Sequence, residues 1–238
     1  MTKEVLSTYE EIATEYYDSD RHPTCANFRA ASHQSLLKFL RSADVNGKIV
    51  CEVGPGKSLL AEVLAELDCR PAEIILIDLS PSMLRYSAQS GSRQKHAIIG
   101  DGRILPLRGR SIDLLVSSLG DPYNEISFWT ETSRVLKHGS DFVFTTPSYE
   151  WAKTFRGEDG ALPFFAEFET LRGCRIRVPS FIYSMEQQLK LIESAGLQVK
   201  DFYDVPIASL MRDRLSPKLI QGRDIEASVI DTYIIRKP

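Results

Sequence analysis

A glycine-rich turn between a predicted strand and a predicted helix is the part of the sequence best suited to hold a ligand. It contains Glu52, Gly54, Gly56 and Ser58. Glycine permits a sharp turn and a close approach of the backbone to a bound molecule. The start of the following helix offers unpaired N–H groups and a partial positive charge. The residue types therefore predict a ligand-binding turn.

Two common ligand classes fit this turn poorly. The dinucleotide fingerprint needs a third glycine three residues after Gly56, where the chain has Leu59. The phosphate loop of nucleotide triphosphate hydrolases ends in Gly-Lys-Ser, as residues 56–58 do, but its first glycine would fall at Cys51, inside the strand. NAD-dependent oxidation and nucleotide triphosphate hydrolysis are therefore disfavoured.

Carboxylates also stand at the ends of the next two predicted strands. Asp78 ends the second strand and Asp101 follows the third. A carboxylate only accepts hydrogen bonds, so it suits ribose hydroxyls or an exocyclic amine, although strand-end aspartates also commonly shape turns. Because ligands of parallel sheets bind at the carboxyl ends of the strands, we expect Glu52, Asp78 and Asp101 to converge on one rim.

Short apolar runs alternate with helical periodicity along most of the chain. Strands are predicted at 48–53, 73–78, 96–100, 112–117, 141–146, 197–203 and 229–236, and helices at 58–67, 81–89, 123–136 and 184–195. This alternation predicts an α/β fold with a doubly wound, mostly parallel sheet and helices on both faces. Residues 1–45 are predicted as an N-terminal helical cap with Thr24 capping its second helix. Residues 46–238 form the main domain, with an aromatic-rich, lid-like insertion at 151–180.

Taken in order, the motifs resemble class I S-adenosylmethionine-dependent methyltransferases, the small-molecule ubiquinone and menaquinone type among them. Glu52, Gly54 and Gly56 resemble the E/D-x-G-x-G signature, with Ser58 in place of a third glycine. Residues 77–83 resemble the ribose-binding segment, and residues 100–106 the adenine-side segment. The resemblance implies a Rossmann-like, seven-stranded sheet with an antiparallel last strand, and S-adenosyl-L-methionine as the cofactor.

The resemblance also implies which residues contact the cofactor. They are Tyr9, Tyr17, Glu52, Gly54, Gly56, Ser58, Asp78, Leu79, Met83, Asp101, Gly102 and Ser117. Residues 9–18 resemble the leading Y-x-x-x-A-x-x-Y-D segment of small-molecule methyltransferases, which closes over the cofactor. Alternatively, its tyrosines simply pack on the sheet.

The methyl acceptor is less closely defined. Asp121, Pro122 and Tyr123 resemble the D-P-P-Y element of amino-group methyltransferases of nucleic acids, although such a turn is also ordinary helix capping. His22, Asp121 and Tyr123 are the predicted catalytic residues, with His22 or Asp121 removing a proton. The predicted acceptor is a small molecule, with a nucleobase or nucleic acid as the alternative. A second alternative is a methyltransferase-like protein that binds the cofactor and does not catalyse methyl transfer.

Composition excludes several other classes. The chain has 238 residues and a formal net charge of -3, so it has no global attraction for nucleic acid. Its four cysteines lack paired spacing, which predicts reduced thiols and no metal site. The sequence shows neither a secretory signal nor an apolar run long enough for a membrane helix, so a cytoplasmic protein is expected. The oligomeric state is left open.

Overall fold

The computed structural model describes residues 3–88, 95–156, 165–210 and 214–238. Its strands are β1 (Ile49–Val53), β2 (Glu73–Asp78), β3 (Lys95–Ile99), β4 (Ile112–Ser117), β5 (Leu136–Pro147), β6 (Phe165–Glu169), β7 (Arg175–Pro179), β8 (Gln198–Pro206) and β9 (Ser228–Arg236). Its α-helices are α1 (Lys3–Ile12), α2 (Pro23–Leu40), α3 (Leu59–Glu66), α4 (Pro81–Ala88), α5 (Ile126–Val135), α6 (Tyr149–Arg156), α7 (Met185–Ser194) and α8 (Pro217–Ile220). Short 3-10 helices occupy Asp121–Tyr123 and Ile207–Leu210.

Seven strands form one sheet in the order β3-β2-β1-β4-β5-β9-β8. Strands β1 to β5 pair in parallel, whereas β9 is antiparallel to both of its neighbours. Strands β6 and β7 form a separate antiparallel hairpin. The predicted seven-stranded sheet with an antiparallel last strand is therefore confirmed.

Helices cover both faces of the sheet because the central strands bury side chains on both sides. One apolar cluster joins α5 and α7 to the sheet and includes Phe128, Trp129 and Ile192. The opposite cluster joins α2 and α3 to the sheet and includes Leu36 and Leu60. Within the described part of the chain, no helix combines the length and apolarity needed to cross a bilayer.

Two predicted details at helix ends are wrong. Thr24 does not cap the second helix, because α2 already begins at Pro23 and His22 occupies the N-cap position. Proline suits the first helical turn, since its fixed φ and missing N–H cost nothing there. The Thr24 hydroxyl lies 2.7 Å from the Ser216 hydroxyl instead. The helix predicted at 123–136 is shorter in the structure, where α5 spans Ile126–Val135 and Tyr123 ends the 3-10 helix Asp121–Tyr123.

The predicted lid-like insertion contains α6 and the β6–β7 hairpin, while its residues 157–164 lie outside the described part. The hairpin packs through Val178 against an apolar cluster that includes Ile12 and Ala13 of the N-terminal segment (residues 3–22) and Met83 of α4. The division into a cap at 1–45 and a main domain at 46–238 stays a prediction.

Two carboxylates of the N-terminal segment accept hydrogen bonds from other elements, one at the start of α4 and one beyond β6. Glu10 Oε1 accepts hydrogen bonds from the Ser80 hydroxyl at 2.5 Å and the Ser82 N–H at 3.0 Å, at the start of α4. Glu15 is buried, and its two oxygens accept from the Leu171 N–H beyond β6 at 2.8 and 3.1 Å. The N-terminal segment thus contacts both the sheet domain and the hairpin.

We expect Glu15→Ala to loosen the hairpin from the N-terminal segment. A lost hydrogen bond to a charged acceptor reduces the free energy of unfolding by about 1 kcal/mol when water can replace part of it. Hydrogen exchange of the β6 and β7 amides should become faster. Glu186→Ala is the matched control, because the exposed Glu186–Lys190 ion pair contributes little. Unchanged exchange in the Glu15 variant would show that this contact does not hold the hairpin.

Candidate functional site

A cavity of about 540 Å³ opens at the carboxyl ends of β1, β2 and β4, where ligands of such sheets bind. We call it the first cavity. Its lining includes Tyr9, Tyr16, Tyr17, His22, Cys25, Arg29, Gly54, Pro55, Gly56, Lys57, Asp78, Met83, Ser118, Leu119, Pro122 and Tyr123. Its volume lies within the usual range for small-molecule and cofactor sites.

The turn after β1 brings the backbone itself to the wall of this cavity. Gly54 and Gly56 have φ angles of +68° and +46°, which residues with a Cβ rarely adopt. A Cβ atom on Gly54 would lie 2.7 Å from Cε2 of Tyr123, and one on Gly56 would overlap the Tyr17 hydroxyl. These two positions therefore require glycine, as the sequence motif predicts.

Asp78 and Glu62 are the acids in the described lining of the first cavity, and Glu62 is paired with Arg29 at 2.6 Å. Asp78 is the one that ends a strand. Its side chain is buried at the end of β2, and it accepts hydrogen bonds from the N–H groups of Gly56 at 3.0 Å and Ser80 at 2.9 Å. A carboxylate has about four acceptor positions, so Asp78 can also accept from ligand hydroxyls. Burial raises the pKa of Asp78 to about 6, so its ionised form dominates at neutral pH.

Glu52 lies beneath the turn and does not line the cavity. Side chains alternate along β1, so Glu52 points towards α3 while Val53 faces the opposite cluster. Its Oε2 accepts from the Ser58 hydroxyl at 2.5 Å and the Leu60 N–H at 3.3 Å. Ser58 in turn caps α3 by accepting from the Ala61 N–H at 3.0 Å. Glu52 and Ser58 thus hold the turn from behind, and their predicted contact with the cofactor stays a prediction.

We expect the free energy of unfolding to depend on pH because Glu52 is buried. Burial raises its pKa from 4.5 to about 7, so the folded protein holds this proton over a pH range in which the unfolded chain releases it. The resulting stability is complete below pH 4.5 and is lost as the pH rises through 7. Relative to Glu52→Gln, the wild-type protein should lose about 3 kcal/mol of unfolding free energy across this window.

Urea unfolding at pH 4.5 and pH 8 measures this difference. Asp78 is present in both proteins, so its own titration cancels in the comparison. A stability difference that is independent of pH would contradict a protonated Glu52. The Oε1 atom of Glu52 agrees with protonation, because it is buried without a hydrogen-bond partner among the described residues.

Tyrosines form much of the remaining wall. The Tyr17 hydroxyl accepts from the Lys57 N–H at 2.6 Å, which ties the N-terminal segment to the glycine turn. Tyr123 lies against Gly54, and Tyr9 lines the cavity from α1. The structure therefore brings together six predicted cofactor residues, which are Tyr9, Tyr17, Gly54, Gly56, Asp78 and Met83.

Asp101 does not line the first cavity, although the sequence motif predicts that it contacts the cofactor. Arg103 donates to both of its oxygens, from Nε at 3.0 Å and from Nη2 at 2.7 Å. Partial burial favours the neutral acid, but the Arg103 hydrogen bonds outweigh it and lower the pKa of Asp101. Glu52, Asp78 and Asp101 stand at the carboxyl ends of three neighbouring parallel strands, as predicted, but Asp78 alone of the three lines this cavity.

Three other predicted cofactor residues also stand back from the first cavity. Gly102 lies behind Tyr123, since a Cβ there would be 3.0 Å from Cδ1 of that ring. The Ser117 hydroxyl is buried and donates to the Val53 carbonyl at 3.1 Å. Leu79 follows Asp78 but is not part of the lining. Gly102 and Ser117 thus support the wall from behind, and the predicted cofactor contacts of all three residues stay predictions.

A second cavity, of about 840 Å³, adjoins the first. The two share a wall formed by Tyr9, Tyr16, His22, Cys25, Leu119 and Pro122. Beyond that wall the second cavity is lined by Phe28, Asp121, Trp151, Phe155, Phe165, Phe168, Arg175, Ser180, Lys218 and their neighbours. Two neighbouring cavities provide room for two reactants in contact.

The predicted catalytic residues are distributed over these two cavities. Tyr123 lines the first, Asp121 the second and His22 both. Asp121 Oδ2 accepts from the Ser180 hydroxyl at 2.6 Å. His22 Nε2 is buried without a hydrogen-bond partner among the described residues, 4.0 Å from Glu15 Oε2. Burial lowers the pKa of His22, so the ring is neutral at pH 7.

Two wall residues, Cys25 and Leu119, were not predicted. Cys25 lies on α2, which carries small and polar residues on several faces, so its periodicity does not indicate which side chains face a ligand. Leu119 has a φ of +56°, which its residue type does not signal. The described residues contain no group of three or more histidine, cysteine or acidic side chains suited to a metal ion.

Residues 51–144 match the family of methyltransferase domains. The chain carries a methyltransferase domain. This methyltransferase domain runs from β1 into β5 and contains the glycine turn, Asp78 and Tyr123. Together with the sheet order, the match confirms the predicted relation to class I S-adenosylmethionine-dependent methyltransferases.

Curated and solved relatives of the methyltransferase domain agree with this assignment. A malonyl-[acyl-carrier protein] O-methyltransferase of Marinomonas sp. (strain MWYL1) is 32% identical over 152 residues, 61% of this chain. The chain spans 53% of the length of that relative and 27% of a second curated one.

Two solved structures share the fold of the whole chain. One is a chain from the complex of the Haloferax volcanii Trm112 methyltransferase activator with a methyltransferase, with a TM-score of 0.68, 16% identity and coverage of 98% and 97%. The other is from a DhpI-SAM-HEP complex, with a TM-score of 0.66, 14% identity and 99% coverage of both chains. At these identities the likeness establishes the fold.

Proposed function

We propose that the protein is an S-adenosylmethionine-dependent methyltransferase, of the EC 2.1.1 class, that acts on a small molecule. The observation that carries this proposal is the pair of adjoining cavities, one beside the glycine turn and Asp78, the other beside Asp121. Methyl transfer is an in-line displacement, so it requires donor and acceptor to be held end to end with water excluded. Two cavities that share wall residues can place donor and acceptor next to each other.

The first cavity has the chemistry that S-adenosylmethionine requires. Asp78 would accept hydrogen bonds from the ribose hydroxyls, and the glycine turn leaves room for the ligand against the backbone. Tyr9, Tyr17 and Tyr123 line this cavity, and aromatic rings attract a positively charged sulfonium. When bound, the cofactor supplies an activated methyl group.

The acceptor would lie in the second cavity, next to the common wall. His22 is neutral and Asp121 is a carboxylate engaged by Ser180, so either can accept the proton of a hydroxyl or amine as it is methylated. The acceptor atom forms a bond to the methyl carbon while the carbon–sulfur bond breaks, and that electron pair stays on sulfur. We also propose a cytoplasmic location, because the four cysteines are free in the structure.

Calorimetry with S-adenosylmethionine and S-adenosylhomocysteine tests the cofactor, with NAD as the negative control. We expect saturable binding of both sulfur nucleosides and none of NAD. A folded protein that binds neither nucleoside would refute the proposal. Transfer of labelled methyl groups to a small-molecule extract then distinguishes an enzyme from a protein that only binds the cofactor, and transfer to nucleic acid alone would contradict a small-molecule acceptor.

A further inference from the structure

We propose that the second cavity binds an uncharged, flat, ring-bearing acceptor that carries a hydroxyl or amine group. The inference rests on the proposed function, because it assigns the acceptor of the same methyl transfer. Three features of the cavity support it: the arrangement of its aromatic side chains, the balance of its charges and the position of Asp121.

Aromatic rings line the second cavity from two parts of the fold. Trp151 of α6 packs edge-on against Phe28 of α2, with ring centroids 4.8 Å apart, and lies 5.0 Å from Phe155. The hairpin contributes Phe165 and Phe168. Aromatic rings prefer offset-stacked or edge-to-face contacts with other rings. A lining of this kind favours a flat ring system.

Two of these rings are partly exposed and can contact a ligand, because they are not buried in the hydrophobic core. Phe155 is 50% exposed although it is a large apolar side chain. Phe165 is half-buried, and the Arg177 guanidinium covers one of its faces at 4.4 Å. An exposed aromatic ring inside a concave site gains free energy when a ligand covers it. Phe155 and Phe165 are thus the side chains that a bound ring would cover.

The charges around the second cavity balance. Its described lining contains three basic side chains, Arg21, Arg175 and Lys218, and three acidic ones, Asp121, Glu167 and Glu169. Arg21 Nε lies 3.4 Å from Glu15, and Glu167 is paired with Arg177 at 3.1 Å. Arg175 and Glu169 are opposite each other in the hairpin register. This lining does not select a polyanion such as nucleic acid, nor a free carboxylate.

Asp121 marks the reacting end of the site. It lines the second cavity and is followed by Pro122, which lines both cavities. Its Oδ2 accepts a hydrogen bond from Ser180, and a carboxylate can accept several. A hydroxyl or amine on the acceptor ring would donate to this carboxylate and thereby point its lone pair at the common wall with the first cavity.

The test uses 2-naphthol as the probe and calorimetry in the presence of saturating S-adenosylhomocysteine. Wild-type protein should bind 2-naphthol saturably. Phe155→Ala and Phe165→Ala should each weaken binding about tenfold, the equivalent of one aromatic contact. Ile225→Ala is the matched control, because Ile225 is 53% exposed and does not line the cavity; it should leave the affinity unchanged.

Two further probes test the class of ligand. Decahydro-2-naphthol keeps the carbon skeleton without the flat rings, and 2-naphthoate keeps the rings but adds a negative charge; both should bind more weakly than 2-naphthol. The inference fails if 2-naphthol does not bind, if both phenylalanine variants retain full affinity, or if either further probe binds more tightly. Loss of S-adenosylhomocysteine binding in the same titrations would instead refute the proposed function itself.

Discussion

Gly54→Arg is expected to abolish cofactor binding while the protein stays folded. At this position a Cβ atom alone would lie 2.7 Å from the ring of Tyr123, and the longer arginine side chain would have to enter the first cavity. The left-handed φ of +68° adds backbone strain of about 1–2 kcal/mol. Calorimetry with S-adenosylhomocysteine should show an affinity loss of more than about 100-fold, beyond the range of the measurement.

Gly47→Arg separates backbone strain from the blocked cavity. Gly47 has nearly the same φ, +69°, but a Cβ there meets no atom within 4 Å. This control should lose a similar amount of stability in thermal unfolding and bind S-adenosylhomocysteine as the wild type does. A folded Gly54→Arg variant with wild-type affinity would place the cofactor somewhere other than the first cavity.

Asp78→Ala is expected to produce the second largest effect, a loss of affinity for S-adenosylhomocysteine of about 100-fold. Each hydrogen bond to a charged group contributes about 1.5–3 kcal/mol, and Asp78 is the carboxylate that we propose accepts from the two ribose hydroxyls. The variant also removes the acceptor for the Gly56 N–H, so the glycine turn becomes less ordered. Calorimetry and thermal unfolding together measure the two contributions.

Asp101→Ala distinguishes the cofactor contact that the sequence motif predicts for Asp101 from the pairing with Arg103 that the structure shows. The motif resemblance gives Asp78 and Asp101 comparable roles, whereas the structure shows the Asp101 carboxylate held by Arg103 and outside the cavity lining. We therefore expect a much smaller change in affinity for Asp101→Ala. Equal losses in the two variants would show that Arg103 releases Asp101 when the ligand binds.

The sheet could be predicted because its strands have a simple local signal. Strands buried on both faces need continuous apolar runs, and β2 and β4 have the predicted limits, Glu73–Asp78 and Ile112–Ser117. The glycine turn was equally visible, since left-handed φ angles restrict Gly54 and Gly56 to one residue type. Periodicity and special residue types are properties of short segments, so the sequence displays them directly.

The direction and pairing of side chains could not be predicted in the same way. Glu52 turns under the loop because of its position in the alternation of β1, and Asp101 is occupied by a neighbour only two residues away. The second cavity is built from α1, α2, α6 and the hairpin, which are far apart in the chain. The spacing of residues within a short stretch of sequence cannot show that such distant segments meet in the fold. The β6–β7 hairpin was missed as well, because its partner in packing is the distant N-terminal segment.

The two cavities draw on different parts of the chain. Gly54, Gly56 and Asp78 belong to the matched domain at 51–144, whereas the aromatic residues of the second cavity, Phe28, Trp151, Phe155, Phe165 and Phe168, all lie outside it. Most of the aromatic surface offered to the acceptor therefore lies outside the matched domain, although Tyr9 and Tyr17 of the first cavity also lie outside it and Asp121 of the second lies within it. Exchanging α6 and the hairpin between two enzymes with this fold should change the acceptor preference and leave Gly54, Gly56 and Asp78 in place for the methyl donor.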